Sequence, residues 1–417
     1  MSLIRIEGPN RLGGKLRVQG AKNSTLPLLA AALLVKGETV LHDCPHLSDV
    51  DSAMKIIRNL GAECYRQDDA VVVNARELTS CEIPHDLMRE MRSSIVFLGA
   101  ILSRMGEAKL SFPGGCEIGA RPIDLHLSAL KKLGAKISES HGVLICNAAG
   151  GLKGANISLS FPSVGATENI ILAAAVSKGT TVIQNAAKEP EIADLAQFLN
   201  LCGAKIHGAG DSCVVIEGVE SLSPTEYKVM PDRIAAATYM AAAAMCTGEL
   251  IVENSPNNCL IPIISIFEES GCSIRTQGDQ LFLSAPRRLR AVGNVRTMPY
   301  PGFPTDAQAP IMAMTSVAKG TTVFVETIFE SRYKHVGELL RLGAEIKVAD
   351  RVAVVEGVRE LSGAPVTSYD LRGGAALVCA GLAAQGVTTV GGVEFIERGY
   401  EDIVENLRKI GAKIDKV

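Results

Sequence analysis

Six times along the chain an apolar helical stretch ends at a glycine followed by Ala or Cys: Gly61, Gly134, Gly203, Gly271, Gly343 and Gly411, with gaps of 73, 69, 68, 72 and 68 residues. A period this regular describes one supersecondary unit built six times, and it limits the architecture before any single residue is interpreted. Each glycine has an upstream partner that opens a short β-like run (Gly37, Gly106, Gly179, Gly248, Gly320, Gly386), at separations of 24, 28, 24, 23, 23 and 25 residues. The second unit is the long one. Its surplus falls in Phe112-Pro-Gly-Gly-Cys-Glu-Ile-Gly119, a glycine-rich loop with a single thiol. An insertion into a regular repeat is where chemistry is expected first, because function concentrates on loops carried by a scaffold.

Each unit reads as helix, Gly, strand, polar turn, second helix, Gly-Ala and two strands, an α/β pattern. The first helices are apolar nearly all round, as in Leu28 to Leu34, Ile170 to Val176, Ile234 to Met245 and Leu377 to Ala383, which marks them as buried. The second helices, such as Tyr400 to Ile410, alternate charged and apolar residues and are expected to be amphipathic. Their terminal glycines suit a left-handed C-terminal position. The sixth unit stops at Gly411-Ala-Lys-Ile-Asp-Lys-Val417, one strand short, and Leu3-Ile-Arg-Ile-Glu-Gly8 has the pattern of the missing strand. The expectation is therefore two three-unit domains, 22–230 and 231–417 completed by 1–21. Two chain crossings near positions 20 and 230 favour hinge closure over a central cleft.

Composition narrows the class. With 47% apolar and 21% charged residues over 417 positions the chain reads as an ordinary globular protein. A net charge of -3 gives no general basic surface for nucleic acid or anionic membrane, so any anion site must be local. The longest apolar run, Ile234 to Cys246, is 13 residues, short of the roughly 20 that span a bilayer. Eleven scattered cysteines with no CxxC pair, and a charged start where a signal peptide would be apolar, point to reduced thiols in the cytoplasm. His42-Asp-Cys-Pro-His46 superficially offers metal ligands, but Pro45 breaks helical spacing and no fourth ligand is evident, so no metal is expected.

The buried helices begin in polar clusters: Lys22-Asn23-Ser24, Arg89 with Arg92, Ser163 to Thr167, Asp232-Arg233, Thr305-Asp306, and Asp370-Leu-Arg372. Helix N-termini carry unpaired N–H groups and partial positive charge, which suit phosphate or carboxylate. Twelve residues after each upstream glycine lie Asp49, Glu191, Leu260, Arg332 and Arg398, and the long unit reaches Arg121 after fifteen. Arginine suits bidentate anion recognition. A small substrate with a phosphate and a carboxylate would account for the cluster.

Gly20-Ala-Lys-Asn-Ser-Thr-Leu-Pro, Pro113-Gly-Gly-Cys-Glu-Ile-Gly-Ala-Arg-Pro122, Tyr300-Pro-Gly-Phe-Pro-Thr-Asp306 and Asp370-Leu-Arg-Gly-Gly374 resemble the UDP-N-acetylglucosamine enolpyruvyltransferase family, along the full length of the chain. The resemblance implies an inside-out α/β barrel fold in two three-fold domains. It also implies transfer of the enolpyruvyl group of phosphoenolpyruvate to the 3'-hydroxyl of UDP-N-acetylglucosamine by addition and elimination, with phosphate released and no cofactor. This reaction opens peptidoglycan precursor synthesis.

Carried over residue by residue, the resemblance puts Lys22, Arg121 and Arg398 on the phosphate of phosphoenolpyruvate and Arg332 and Arg372 near the carboxylate, with Arg92 supporting the same region. It implies sugar-nucleotide contacts from Asn23, Asp124, His126, Ser163, Val164, Gly165, Asp306 and Phe329. Pro122, Ile328 and Asp370 adjoin these motifs as further substrate-binding residues. Asp306 at a helix start is the candidate base for the hydroxyl, and a helix-capping role stays open for it. Cys116 is the candidate acid for C3, and a main role in product release stays open. Asp370 reads as a helix cap that orients Arg372. Phe161 departs from the family, many members of which carry a basic residue there near the diphosphate. The rival readings are a shikimate-pathway enolpyruvyltransferase, against which Cys116 and Ser163 to Thr167 argue, and a non-catalytic sugar-nucleotide-binding paralogue.

Overall fold

In the computed structural model, which describes residues 2–111 and 123–417, the six glycines that end the second helices all lie in the left-handed region, with φ between 89° and 101°. A side chain is strained there, so glycine closes each helix and turns the chain into the next strand.

Six four-stranded sheets follow, one per unit. In the third unit Asn156–Ser158 runs parallel to Thr180–Gln184, which pairs antiparallel with Cys213–Glu217, which in turn pairs antiparallel with Lys205–His207. The other five sheets repeat this order. The short parallel strand that precedes each buried helix is absent from the sequence reading. In Asn156–Ser158, Glu226–Lys228, Asn294–Arg296 and Pro365–Thr367 it has three residues and a single buried side chain, too few to show a period.

Strand sharing crosses the sequence. Ile4–Gly8 lies between Gly386–Gly391 and Ile414–Lys416, antiparallel to both, with Ile6 opposite Thr388 and Ile414. Gly13–Arg17 runs parallel to Glu249–Glu253, and Glu226–Lys228 runs parallel to Glu38–His42. Among the described residues two compact units result, one of residues up to Gln19 and from Pro231 to Val417, the other of Gly20 to Met230.

Within the Gly20–Met230 unit the helices Lys22–Ala32, Phe97–Met105 and Val164–Ala174 form the centre of one hydrophobic core. Arg233–Met245, Gln308–Thr315 and Leu371–Ala383 do the same in the other unit. Every residue of Arg233–Met245 is buried, and its run of alanines lets neighbouring backbones approach closely. The second helices are one-sided, as in Ser48–Asn59, where Val50, Ala53, Met54, Ile56 and Ile57 face inward. Strands such as Glu38–His42 bury Thr39 and Leu41 and expose Glu38 and His42. Helices inside and sheets outside make each unit an inside-out α/β arrangement, and polar groups on the central helices are confined mostly to their ends. Among the described residues no helix is long and apolar enough to cross a membrane.

Ile6 has no solvent exposure in a strand that is paired on both sides. An Ile6→Ala substitution is expected to cost about 2–5 kcal/mol, read as a lowered urea midpoint. A loss below about 1 kcal/mol would show that the N-terminal strand is not a structural member of its sheet.

Candidate active site

The polar helix starts divide between the two units, and each carries a built constellation. In the Gly20–Met230 unit Lys22 is the first residue of its helix, buried, with Nζ 2.7 Å from Asp49 Oδ2. Asp49 sits, also buried, in the first turn of Ser48–Asn59. Asn23 beside it is exposed. Ser24 Oγ donates to Asp194, and Asp194 Oδ1 also accepts from Tyr227 Oη at 2.7 Å. This network anchors the turn that presents Lys22 and Asn23.

Ser163 caps Val164–Ala174, its Oγ accepting from Ala166 N at 3.3 Å. His126, two residues into the helix Asp124–Lys132, packs against that cap: a Cβ on Gly165 would lie 3.0 Å from its Cε1. Glycine at 165 therefore lets the imidazole approach the helix start. Burial pushes His126 down to about 4, against the weaker pull of Asp124. Its Nδ1 lies 2.9 Å from Asn169 Nδ2, so the neutral ring accepts there and Nε2 carries the proton. Asn169 also donates to Ile95 O and accepts from Gly99 N. Sequence reading overlooked Asn169, although an asparagine inside an otherwise apolar helix was the available signal.

Glu168 is another overlooked residue. It is buried, and desolvation, reinforced by Glu191 and Glu189, raises it to about 8. Glu191 is itself buried.

In the other unit the constellation centres on Asp306, in the 3₁₀ turn Thr305–Ala307 before Gln308–Thr315. Arg332 Nη2 donates to its Oδ1 at 2.7 Å, while Arg372 Nε and Nη2 donate to Oδ2 at 3.3 and 3.2 Å. The side chain of Asp306 is 26% exposed, whereas those of Arg332 and Arg372 are 4% and 3% exposed. One partly open carboxylate is thus gripped by two buried guanidinium groups. Arg332 also lies over the Phe329 ring at 5.6 Å, and its Nε has no hydrogen-bond partner among the described residues.

Arg372 rests on the buried ring of Tyr400 at 5.3 Å. Burial opposes its charge, but Tyr400, Asp306 and Asp232 outweigh that and raise its pKa above the usual guanidinium value. Asp370 Oδ1 accepts from Arg372 N and Gly373 N and caps the helix that presents Arg372. Ile328 and Phe329 are half-buried in the loop after Thr321–Val325. Arg398 is half-buried between Val393–Ile396 and Ile403–Lys409, two residues before Tyr400.

Lys22–Asp49 and Asp306–Arg332 each join the start of a central helix to the residue twelve positions after the upstream glycine of the same unit, with the charges exchanged. Cys116, Arg121 and Pro122 lie outside the described residues, as does the side chain of Arg92. Asp124 opens its helix as an exposed residue. In the His42–His46 stretch the histidines have separate partners, Glu226 at 3.0 Å and Asp69 at 3.8 Å, and Cys44 is buried.

His126 has a testable pH signature. Its folded value near 4 lies below the ordinary 6.5, so its contribution is present above pH 6.5 and is lost as pH falls toward 4. The loss amounts to about 3 kcal/mol for a shift of this size. Urea unfolding of a His126→Gln variant should show a smaller fall in stability between pH 6.5 and 4.5 than the parent; parallel curves would refute a buried neutral imidazole.

Comparison with known proteins agrees with this arrangement. The family described as EPSP synthase (3-phosphoshikimate 1-carboxyvinyltransferase) matches residues 6–407. A protein of Caldanaerobacter subterraneus subsp. tengcongensis named UDP-N-acetylglucosamine 1-carboxyvinyltransferase 2 is 51% identical, with both chains covered in full. A protein of the same name from Carboxydothermus hydrogenoformans is 48% identical, again with both covered in full. Among solved structures, the enolpyruvyl transferase NikO from Streptomyces tendae superposes with a TM-score of 0.90 at 28% identity, covering 100% of this chain and 99% of its own. An EPSP synthase from Acinetobacter baumannii, 18% identical, shares the fold with a TM-score of 0.76 and full coverage of both chains. Six repeated units, the two built constellations and a match over nearly the whole length together establish that the chain belongs to the EPSP synthase family.

Proposed function

We propose that this protein is a UDP-N-acetylglucosamine 1-carboxyvinyltransferase. It transfers the enolpyruvyl group of phosphoenolpyruvate to the sugar 3'-hydroxyl and releases phosphate, a cytoplasmic step that opens peptidoglycan precursor synthesis. Full-length identity of 51% and 48% to proteins bearing that name carries the reading. The grip of Arg332 and Arg372 on Asp306 supports it chemically.

The reaction needs a base for the attacking hydroxyl, an acid for C3 and a cationic seat for phosphate and carboxylate. Asp306, partly exposed and held by two buried guanidinium groups, accepts the hydroxyl proton as the oxygen attacks C2. Arg332 and Arg372 also meet the substrate carboxylate. Lys22 and Arg398, with Arg121, take the phosphate; Lys22 is held in place by Asp49. Asn23, Asp124, His126 and Ser163 to Gly165 seat the sugar nucleotide in the Gly20–Met230 unit. Ile328 and Phe329 do so in the other, and Asp370 fixes the helix start beneath Arg372. Cys116 delivers a proton to C3. Addition forms a C–O bond and a C–H bond at the former double bond; elimination removes that proton's equivalent from C3 and expels phosphate, which restores the alkene.

Phosphate release should require phosphoenolpyruvate and UDP-N-acetylglucosamine together. Release with shikimate 3-phosphate, and none with the sugar nucleotide, would reassign the chain to the shikimate-pathway activity; tight sugar-nucleotide binding without release would make it a non-catalytic binder. Cys116→Ser should slow turnover by about 10² to 10⁴ and abolish alkylation by fosfomycin. Mass spectrometry that finds the adduct on another cysteine would remove Cys116 from the mechanism.

A further inference from the structure

The repeat exposes one residue that breaks its own pattern. Six positions after the upstream glycine the chain takes a left-handed turn at Asp43 (φ 55°), Asn185 (φ 57°), Asn254 (φ 55°) and Gly392 (φ 70°). These residue types suit that region. The second unit's counterpart, Phe112, lies outside the described residues. In the fifth unit the position belongs to Glu326, which has no positive φ.

Its side chain is 1% exposed and accepts four hydrogen bonds. Oε1 takes Thr297 Oγ1 at 3.0 Å, Ile328 N at 2.8 Å and Phe329 N at 3.0 Å, and Oε2 takes Thr305 Oγ1 at 3.0 Å. Thr297 Oγ1 in turn accepts from Thr327 N at 2.8 Å. Among the described residues no lysine or arginine forms an ion pair with Glu326. A buried carboxylate without a cation is expensive to desolvate. Four donors offset that cost, and they come from three segments, at Thr297, at Thr305 and at residues 328–329.

The connections close a ring. Thr305 immediately precedes Asp306, while Ile328 and Phe329 begin the loop that leads to Arg332. Arg332 returns to Asp306 Oδ1 and to Thr305 O. Asp306 is therefore held from one side by guanidinium groups and from behind, through Thr305, by Glu326.

We propose that Glu326 is a positioning residue for the enolpyruvyl transfer: it holds the Asp306 turn and the sugar-nucleotide segment 328–329 as one body, so that seating the nucleotide and aligning the base are a single event. This inference rests on the proposed function. Misplacing a reacting group by about 1 Å can cost on the order of 100-fold in rate, which sets the scale of the effect.

The test measures kcat per folded molecule, UDP-N-acetylglucosamine affinity by calorimetry, and the thermal midpoint, on Thr305→Val, Glu326→Ala and Glu326→Gln. Thr305→Val cuts only the link to the Asp306 turn and is expected to lower kcat about 10-fold while leaving nucleotide affinity within about twofold. Glu326→Ala should lower kcat by about 100-fold and weaken the nucleotide as well. Glu326→Gln keeps an acceptor for Ile328 and Phe329, and Thr305 Oγ1 can accept from its amide, so most of both losses should be restored. A residue serving stability alone would move the thermal midpoint and leave kcat per folded molecule in place. Thr305→Val turning over within twofold of the parent overturns the proposal, and so does Glu326→Gln no faster than Glu326→Ala. A parent protein that binds the nucleotide yet releases no phosphate overturns the proposed function itself, a result distinguishable because it appears before any substitution.

Discussion

A helix buried on every side can present ionised groups only at its ends, and that constraint organises the structure. Arg233–Met245 is buried along its whole length, and Lys22–Ala32 and Leu371–Ala383 nearly so. Lys22, Asp306 and Arg372 all stand at or just before the first turn of such a helix. There backbone N–H groups lack intrahelical partners and local positive potential is available. Sheets and second helices complete the enclosure and leave those tips as the places where charge can meet solvent.

Charge at the tips is stable only because it is paired. Lys22 is buried against Asp49, and Arg332 and Arg372 share Asp306. Removing one partner of such a buried pair leaves an uncompensated charge, whose cost is commonly about 3–5 kcal/mol. The same pairing aims the groups: Arg372 is fixed by the ring of Tyr400 beneath it and by the Asp370 cap at its own backbone. Rigidity of this kind suits catalysis, in which donors and acceptors must be in place before charge develops. The exchanged charges of Lys22–Asp49 and Asp306–Arg332 show how the same pair of elements can serve opposite electrostatic purposes.

Much of this was legible in the residues. The period of the six glycines, their left-handed geometry, the all-round apolar helices and the strand pattern of Ile4–Gly8 are local signals, and each corresponds to an observed element. The polar helix starts were legible for the same reason. Long-range pairing was not. Nothing local in Thr305, Glu326 and Phe329 announces that they share hydrogen bonds, and the three-residue parallel strands bury one side chain each. Two guanidinium groups hold the carboxylate of Asp306, and charge-assisted bonds of this kind are stronger than those to neutral backbone N–H groups. Asn169 and Glu168 were visible as polar residues in an apolar helix, but the partners of Asn169, Ile95, Gly99 and His126, come from another unit of the repeat.

The strand Ile4–Gly8 sits between Gly386–Gly391 and Ile414–Lys416, so a segment synthesised early belongs with two synthesised late. The Gly20–Met230 unit has all of its own strands once Glu226–Lys228 has been made, and it can consolidate while translation continues. The other unit has to wait until Ile414–Lys416 has been made, with Ile4–Gly8 unpaired in the meantime. Nascent chains cut short anywhere in the final repeat would therefore display one finished half and one open sheet edge, a form that quality-control proteases and holdases can recognise.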